Sequence, residues 1–327
     1  MRVLLKLVIC LMILSSVTAH ANADAMQLLE RMGVAAKKLN YDGVFSYQMG
    51  NKLQSIRIIH RADEQGEIER LLSLNGVARE VIRTNDLVTC IYPDDRSIKV
   101  NRRPLGRGFP SDLLSRLSSA TPYYQVALGK QGRVADRIAQ ELVITPIDKY
   151  RYGYRLWVDK ESDLLLQSDL IAGDGSVLEK FAFSSVSLGL TISDQALKPQ
   201  VSGHAMSWSR TEPETSANMA ANKGVTKWQV VWLPEGFALV AQQNRLKARN
   251  GAAVEQRVYS DGLSSVSIFI EKIRARHSHL HGGSNMGAVN AYGSIIGPHF
   301  VTVVGEVPQK TVEKIGASIR FVDRENP

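Results

Sequence analysis

The sequence predicts an α+β protein built mostly from antiparallel strands and divided into a large and a small domain. Three observations lead there. Short runs with a two-residue apolar period are joined by tight-turn residues. No repeated strand–helix alternation, which would build a parallel sheet, is present. One stretch, Val201–Gly224, is rich in Ser, Ala, Asn, Thr and Gly and loses aliphatic periodicity.

The first segment is a targeting signal rather than structure. Arg2 and Lys6 precede the apolar run Leu7–Leu14, and Ala19-His-Ala21 and Ala21-Asn-Ala23 follow. A positive start, an apolar run of about 7–15 residues and an A-x-A site make a secretory signal peptide. The run is shorter than the roughly 20 residues that span a bilayer. Cys10 is not read as a lipid anchor, because Ile9 before it is not small and the position is too early. Residues 1–23 are expected to be removed, which delivers the chain outside the cytoplasm. Cleavage takes two cations from a formal net charge of +8 and one of two cysteines. Cys90 alone cannot close an internal bridge, so folding must rest on burial. Its neighbours Leu87, Val88, Ile91 and Tyr92 suggest an inert buried thiol. No later run is apolar enough for a membrane helix.

The large domain, 24–200, opens on a helix over 25–39, where Leu28, Leu29, Met32, Ala35, Ala36 and Leu39 recur at helical spacing. Strands are expected at Val44–Met49, Leu53–His60, Ile68–Leu74, Val77–Arg83 and Leu87–Tyr92, with Asn75-Gly76 as a hairpin turn. Tyr150, Tyr152, Tyr154, Leu156 and Val158 then alternate with Arg151, Gly153, Arg155, Trp157 and Asp159, giving an aromatic-rich face and a charged one. Gly173-Asp-Gly175 turns between Leu164–Ile171 and Val177–Val186. Residues 201–226 read as a linker, with a long loop inside one domain as the alternative.

The small domain, 227–327, carries strand candidates on either side of Pro234-Glu-Gly236 and of Ser260-Asp-Gly262. Phe300–Val304 is a buried-strand candidate, and a closing helix after Pro308 places Val312, Ile315 and Ile319 on one stripe.

Catalytic patterns are missing from the sequence. It holds no G-x-S-x-G, S-x-x-K, H-E-x-x-H or G-x-x-x-x-G-K-[ST]. The chain is therefore read as no enzyme, without cofactor. His277, His279 and His281 alternate, which on a strand would converge three imidazoles on a metal. Arg274 and Arg276 would repel a cation, Gly282-Gly283 suggests a loop, and no fourth ligand is evident, so no metal site is assigned. Arg96, Lys99, Arg102, Arg103 and Arg107 form a basic stretch. Outside the cytoplasm its counterpart would be lipid phosphate or an acidic protein segment, not nucleic acid; a merely solvated loop stands beside that reading.

Eight short segments carry a family resemblance. They are Leu39-Asn-Tyr-Asp-Gly-Val-Phe45, Gly76-Val-Ala-Arg-Glu-Val81, Pro122-Tyr-Tyr124, Arg133-Val-Ala-Asp-Arg137 and Leu156-Trp-Val-Asp159, followed by Trp232-Leu-Pro-Glu-Gly-Phe237, Tyr259-Ser-Asp-Gly262 and Val303-Val-Gly-Glu-Val-Pro308. In their order and spacing the chain resembles the RseB/MucB family of periplasmic regulators of the sigma-E envelope-stress response. The match is weakest over 272–299, so the histidines inherit no role.

The resemblance implies a large LolA/LolB-like antiparallel half-barrel with helices across its concave face, then a smaller domain. It also implies a partner, the periplasmic part of a membrane-spanning anti-sigma factor of the RseA/MucA type. That partner is shielded from the first regulatory protease until lipid or lipopolysaccharide releases the grip. Tyr150, Tyr152 and Tyr154, with Arg102, Arg103 and Arg107, are the candidate lipid contacts; the tyrosines read equally as ordinary core. The residues that touch the anti-sigma factor, and any homo-oligomer, are left open. The alternative function is a plain lipid or lipoprotein carrier that does not bind an anti-sigma factor.

Because Ala21 and Ala23 occupy the −3 and −1 positions, the exported protein should begin at Asp24. N-terminal sequencing of periplasmic material checks this; a start at Asn22 would move the site upstream, and retained Met1 would end the export argument.

Overall fold

The computed structural model describes residues 23–85, 87–93, 97–102, 121–200, 207–211, 228–246, 253–273 and 281–322. The signal segment up to Asn22, Arg96, Arg103, Arg107, His277 and His279 lie outside the described residues.

Helix α1 covers residues 23–38 and buries Leu28, Leu29, Met32, Ala35 and Ala36 of the expected stripe together with Ala25, while Leu39 follows the helix and is only partly buried. A meander follows: β1 (Tyr41–Met49), β2 (Lys52–Asp63), β3 (Gly66–Ser73), β4 (Glu80–Thr84), β5 (Leu87–Tyr92) and β6 (Ser97–Arg102). A second meander contains β7 (Tyr124–Val134), β8 (Arg137–Pro146), β9 (Gly153–Asp159), β10 (Leu165–Ile171) and β11 (Val177–Leu188). Pairing of β1 with β11 joins the two meanders into one sheet. The ends of that sheet, β7 and β12 (Ser207–Thr211), are not paired with each other, so the sheet is open.

Alternation divides the core. Leu156 and Val158 join Leu142, Ile144 and α1 in one cluster, while Trp157 between them packs with Phe45, Phe181 and Phe183 in another. Cys90 is free and buried beside Val81 and Val88.

Three expectations change. The Asn75-Gly76 turn exists, with Gly76 at φ +72°, but β3 stops at Ser73 and β4 starts at Glu80. Val77 is 72 % exposed in the longer loop instead of opening a strand. The linker is not free of structure, because β12 pairs parallel with β6, placing the departing chain along the sheet's edge. Before it, Arg61 donates to Asp194 (2.6 Å) and Arg70 to the Ala196 carbonyl (2.8 Å), tying the short helix α2 (Asp194–Leu197) to the sheet. Finally, residues 147–151 form a bend, and the strand in the tyrosine-rich run begins only at Gly153.

The small domain is a second antiparallel sheet in the order β14-β15-β16-β19-β18-β17. Its strands are β14 (Ala238–Leu246), β15 (Ala253–Ser260), β16 (Ser265–Lys272), β17 (Gly282–Met286), β18 (Val289–Ile296) and β19 (His299–Gly305). The pair β17–β18 was not anticipated. Helix α3 (Gln309–Ser318) lays Val312 and Ile315 on Val301 and Val303, and β13 (Trp228–Val230) pairs with β20 (Ile319–Phe321). Of the expected helical stripe, Ile319 caps the helix instead of extending it.

A buried histidine adds a pH-sensitive element to the large domain. His60 Nδ1 lies 2.7 Å from the Leu39 carbonyl, and Nε2 lies 3.3 Å from a Glu67 oxygen, an ion-pair contact. The ring stacks on Tyr41 with centroids 4.8 Å apart. Nδ1 thus meets a hydrogen-bond acceptor, while Nε2 has the Glu67 carboxylate as an ion-pair neighbour when the ring is doubly protonated. Burial works against the charge, but Glu67 and the Leu39 carbonyl outweigh it and hold the pKa above its ordinary value. A raised folded pKa stabilises fully below the unfolded value of about 6.5 and is lost as pH climbs through the folded value. Urea melts should therefore show stability falling as pH rises above the unfolded value of about 6.5, with a flatter slope in His60→Gln. An unchanged slope in that variant would remove His60 as the cause.

Candidate functional site: the domain junction and its cleft

The bend before β9 decides how the two domains meet. Asp148 caps it by accepting from the Tyr150 amide (2.8 Å), which turns the chain so that Arg151 enters the junction. The Arg151 side chain has no exposed surface, and neither does that of Asp261, to which its Nε donates at 2.5 Å. Nη1 donates to Asp148 and Nη2 to the Glu235 carbonyl. The guanidinium carbon lies 5.0 Å from the Tyr123 ring and 5.1 Å from that of Phe237, within cation–π range. Burial disfavours the charge, yet the bond and field of Asp261, helped by Asp148, hold the Arg151 pKa above its ordinary value.

Asp261 is fixed by its own turn. Oδ1 accepts from the amides of Leu263 (2.9 Å) and Ser264 (2.7 Å), leaving Oδ2 for Arg151. Across the junction Tyr124 OH sits 3.0 Å from Ser264 Oγ. Burial and the Asp261 carboxylate push the Tyr124 phenol well above its usual range. Leu263, at the tip of the β15–β16 hairpin, is 1 % exposed and belongs to the large domain's core cluster with α1, Tyr124 and Leu142. The small domain thus inserts one side chain into the core of the other.

Gly236 completes the contact. Its φ of +83° suits glycine, and a Cβ there would collide with the Tyr123 ring.

The tyrosine run lies alongside. Tyr150 packs edge-on to Trp232 at 4.8 Å, accepts from Lys314 Nζ (2.9 Å), and its carbonyl accepts from Thr311 (2.9 Å). The Lys314 bond lowers the Tyr150 pKa. Tyr152 is buried with Leu170 and Ala288, and its hydroxyl accepts from Asn290 (2.9 Å); burial raises its pKa. Tyr154 bridges this small cluster and the α1 core. Tyr150 and Tyr152 therefore both contact the small domain.

Beside these contacts a cleft of about 740 Å³ opens between the domains. Ile144, Leu178, Tyr152 and Tyr154 contribute apolar wall, and Lys149 and Lys310 contribute positive charge.

The other sequence candidates fall elsewhere. Arg102 ends β6, in the meander opposite to β7–β10, with only its backbone described. His281 is exposed. Among the described residues no group of three His, Cys, Asp or Glu side chains is placed to hold a metal, and no helix is long and apolar enough to cross a membrane. Arg151, Asp261 and Leu263 were not anticipated as site residues. A hint existed: Pro122-Tyr-Tyr124, Trp232–Phe237 and Tyr259–Gly262, three of the segments carrying the resemblance, all converge on Arg151.

An open antiparallel sheet docked on a small α+β unit, with a cleft between them, defines a two-domain binding protein. Residues 24–201 match the MucB/RseB N-terminal domain and residues 222–320 the MucB/RseB C-terminal domain. The chain belongs to the MucB/RseB family. It is 30 % identical to the sigma factor AlgU regulatory protein MucB of Pseudomonas aeruginosa, covering 94 % of each chain. With the sigma-E factor regulatory protein RseB of Escherichia coli K12 it shares 28 % identity, again over 94 % of each. It also matches a crystal structure of MucB in complex with MucA(peri) at TM-score 0.70 and 28 % identity, over 91 % of this chain and 99 % of that one. The P. aeruginosa MucA/MucB complex gives 0.71 over 92 % and 99 %, and a crystal structure of MucB gives 0.58 over 91 % and 98 %, both at 28 % identity.

Tyr152→Phe removes the acceptor of the Asn290 bond while Asn290 keeps its 2.7 Å bond to the Val307 carbonyl. Denaturant unfolding should show a loss of about 1 kcal/mol; no loss would mean the hydroxyl bond adds nothing to the junction.

Proposed function

We propose that this protein is a periplasmic negative regulator of a sigma-E-type envelope-stress response. It binds the periplasmic segment of a MucA- or RseA-type anti-sigma factor and shields it from regulatory proteolysis. Lipid or lipopolysaccharide releases that grip. The observation that carries the reading is the match of both domains together to MucB bound to MucA, over 91–92 % of this chain. No bond need be made or broken by the protein itself.

For the lipid, the cleft supplies a fitting chemistry. Tyr152 and Tyr154 stand on an apolar wall where each buried CH₂ is worth about 0.8 kcal/mol, and Lys149 and Lys310 can meet phosphate. Tyr150 flanks the same junction. Arg102, Arg103 and Arg107 would gather the anionic headgroup by long-range attraction. Release then follows from linkage, since lipid that weakens partner binding is itself weakened by partner to the same factor.

The test is a calorimetric titration of the mature protein with the periplasmic segment of its own cell's MucA-type anti-sigma factor, with and without lipopolysaccharide. Binding that lipopolysaccharide reduces is expected. Lipopolysaccharide binding without any binding of the segment would make the protein a plain lipid carrier instead. Replacing Arg102, Arg103 and Arg107 with Gln should lower lipopolysaccharide affinity and its salt dependence while leaving stability within about 0.5 kcal/mol. Unchanged affinity at low and high salt would leave that stretch a solvated surface.

A further inference from the structure

We propose that Arg151, Asp261 and Leu263 form a latch that fixes the two domains in the arrangement competent to bind the anti-sigma segment. Arg151 is a positioning residue, acting through domain orientation and not through contact with the partner. The inference rests on the functional reading above.

The geometry supports a latch rather than a general adhesive surface. The junction centres on one guanidinium whose three nitrogens are directed to three places: Asp148 in its own bend, and Asp261 and the Glu235 carbonyl of the small domain. Such a fork has direction, so it specifies orientation in a way that apolar contact does not. Leu263 lies two residues from Asp261, and the Asp261 carboxylate holds the turn that presents it. Charge and knob therefore engage or leave together.

Each domain also keeps its own core when the latch is open. Val266, Ile268, Val301, Val303, Val312 and Ile315 form the small domain's cluster, and none of them belongs to the clusters of the large domain. The cleft adjoins the latch directly, with Arg151 and Tyr152 in its wall. A ligand entering between the domains thus lies against the bend that carries Arg151, beside the groups that hold the domains together. The chain also matches the two partner-bound MucB structures at 0.70 and 0.71 but the MucB structure at 0.58, with identity the same and coverage nearly so. That is a difference in how the whole chains superpose.

The test uses the full mature chain in three forms: wild type, Asp261→Asn and Leu263→Ala. Spin labels at Val177→Cys and Ile295→Cys, both exposed positions in different domains, read the interdomain distance. Calorimetry reads affinity for the anti-sigma segment and for lipopolysaccharide. Both variants should lengthen and broaden the distance distribution and weaken segment binding, on the order of tenfold. Lipopolysaccharide binding should be retained or strengthened, whereas a merely unfolded protein would lose both ligands. If Asp261→Asn fails to fold, Leu263→Ala, which leaves the charges paired, gives the same reading. The latch is overturned if segment affinity stays within about twofold of wild type, or if it falls while the distance is unchanged. Absence of segment binding by the wild type would count against the functional reading instead.

Discussion

Placing Arg151 between two domains with no exposed surface takes a full charge out of water, and several kcal/mol per ion must be recovered from its surroundings. The junction is arranged around that requirement. The Asp148 bend, the Asp261 turn, the Glu235 carbonyl and the aromatic faces of Tyr123 and Phe237 each meet one side of the guanidinium. An apolar pair of equal volume would hold two surfaces about as firmly, since buried ion pairs add little net stability. It would not dictate how they are turned.

The same arrangement explains why the tyrosine run lies where it does. Once Arg151 is drawn inward, the residues flanking it are carried into the junction, Tyr150 against Trp232 and Tyr152 against Asn290. The cleft is what remains beside these contacts, with walls from both domains that mix apolar residues with Lys149, Lys310, Asp148 and Asp174. A ligand there would contact both domains at once.

Much of the fold was legible because its signals are local. Alternation located β1, β2, β5, β10 and β11 closely, the 173–175 turn fell where glycines permit it, and the stripe of Leu28, Leu29 and Met32 gave α1. What was missed depended on distant partners. Periodicity assigned Arg151 to a charged face, but Asp261, 110 residues away, pairs with it in a fully buried junction. The Asn75-Gly76 pair suggested a two-residue hairpin, yet the exposed Val77 shows the strands parting earlier. β12 has none of the apolar alternation that marks a strand, and it forms by adding to the edge that β6 offers.

The seam between β1 and β11 has a consequence for how the chain reaches its native state. Within each meander, every strand pairs with a sequence neighbour, so either half can zip from short loops. The seam instead joins Ser46 to Ala182 across 136 residues. Closing so long a loop is slow, although the entropy grows only by about 0.6 kcal/mol per doubling of length. Phe45 opposite Phe183 and Tyr47 opposite Phe181 reward the closure with an aromatic cluster that neither half possesses alone. Contact separation therefore predicts that the two half-sheets pair internally before they join each other.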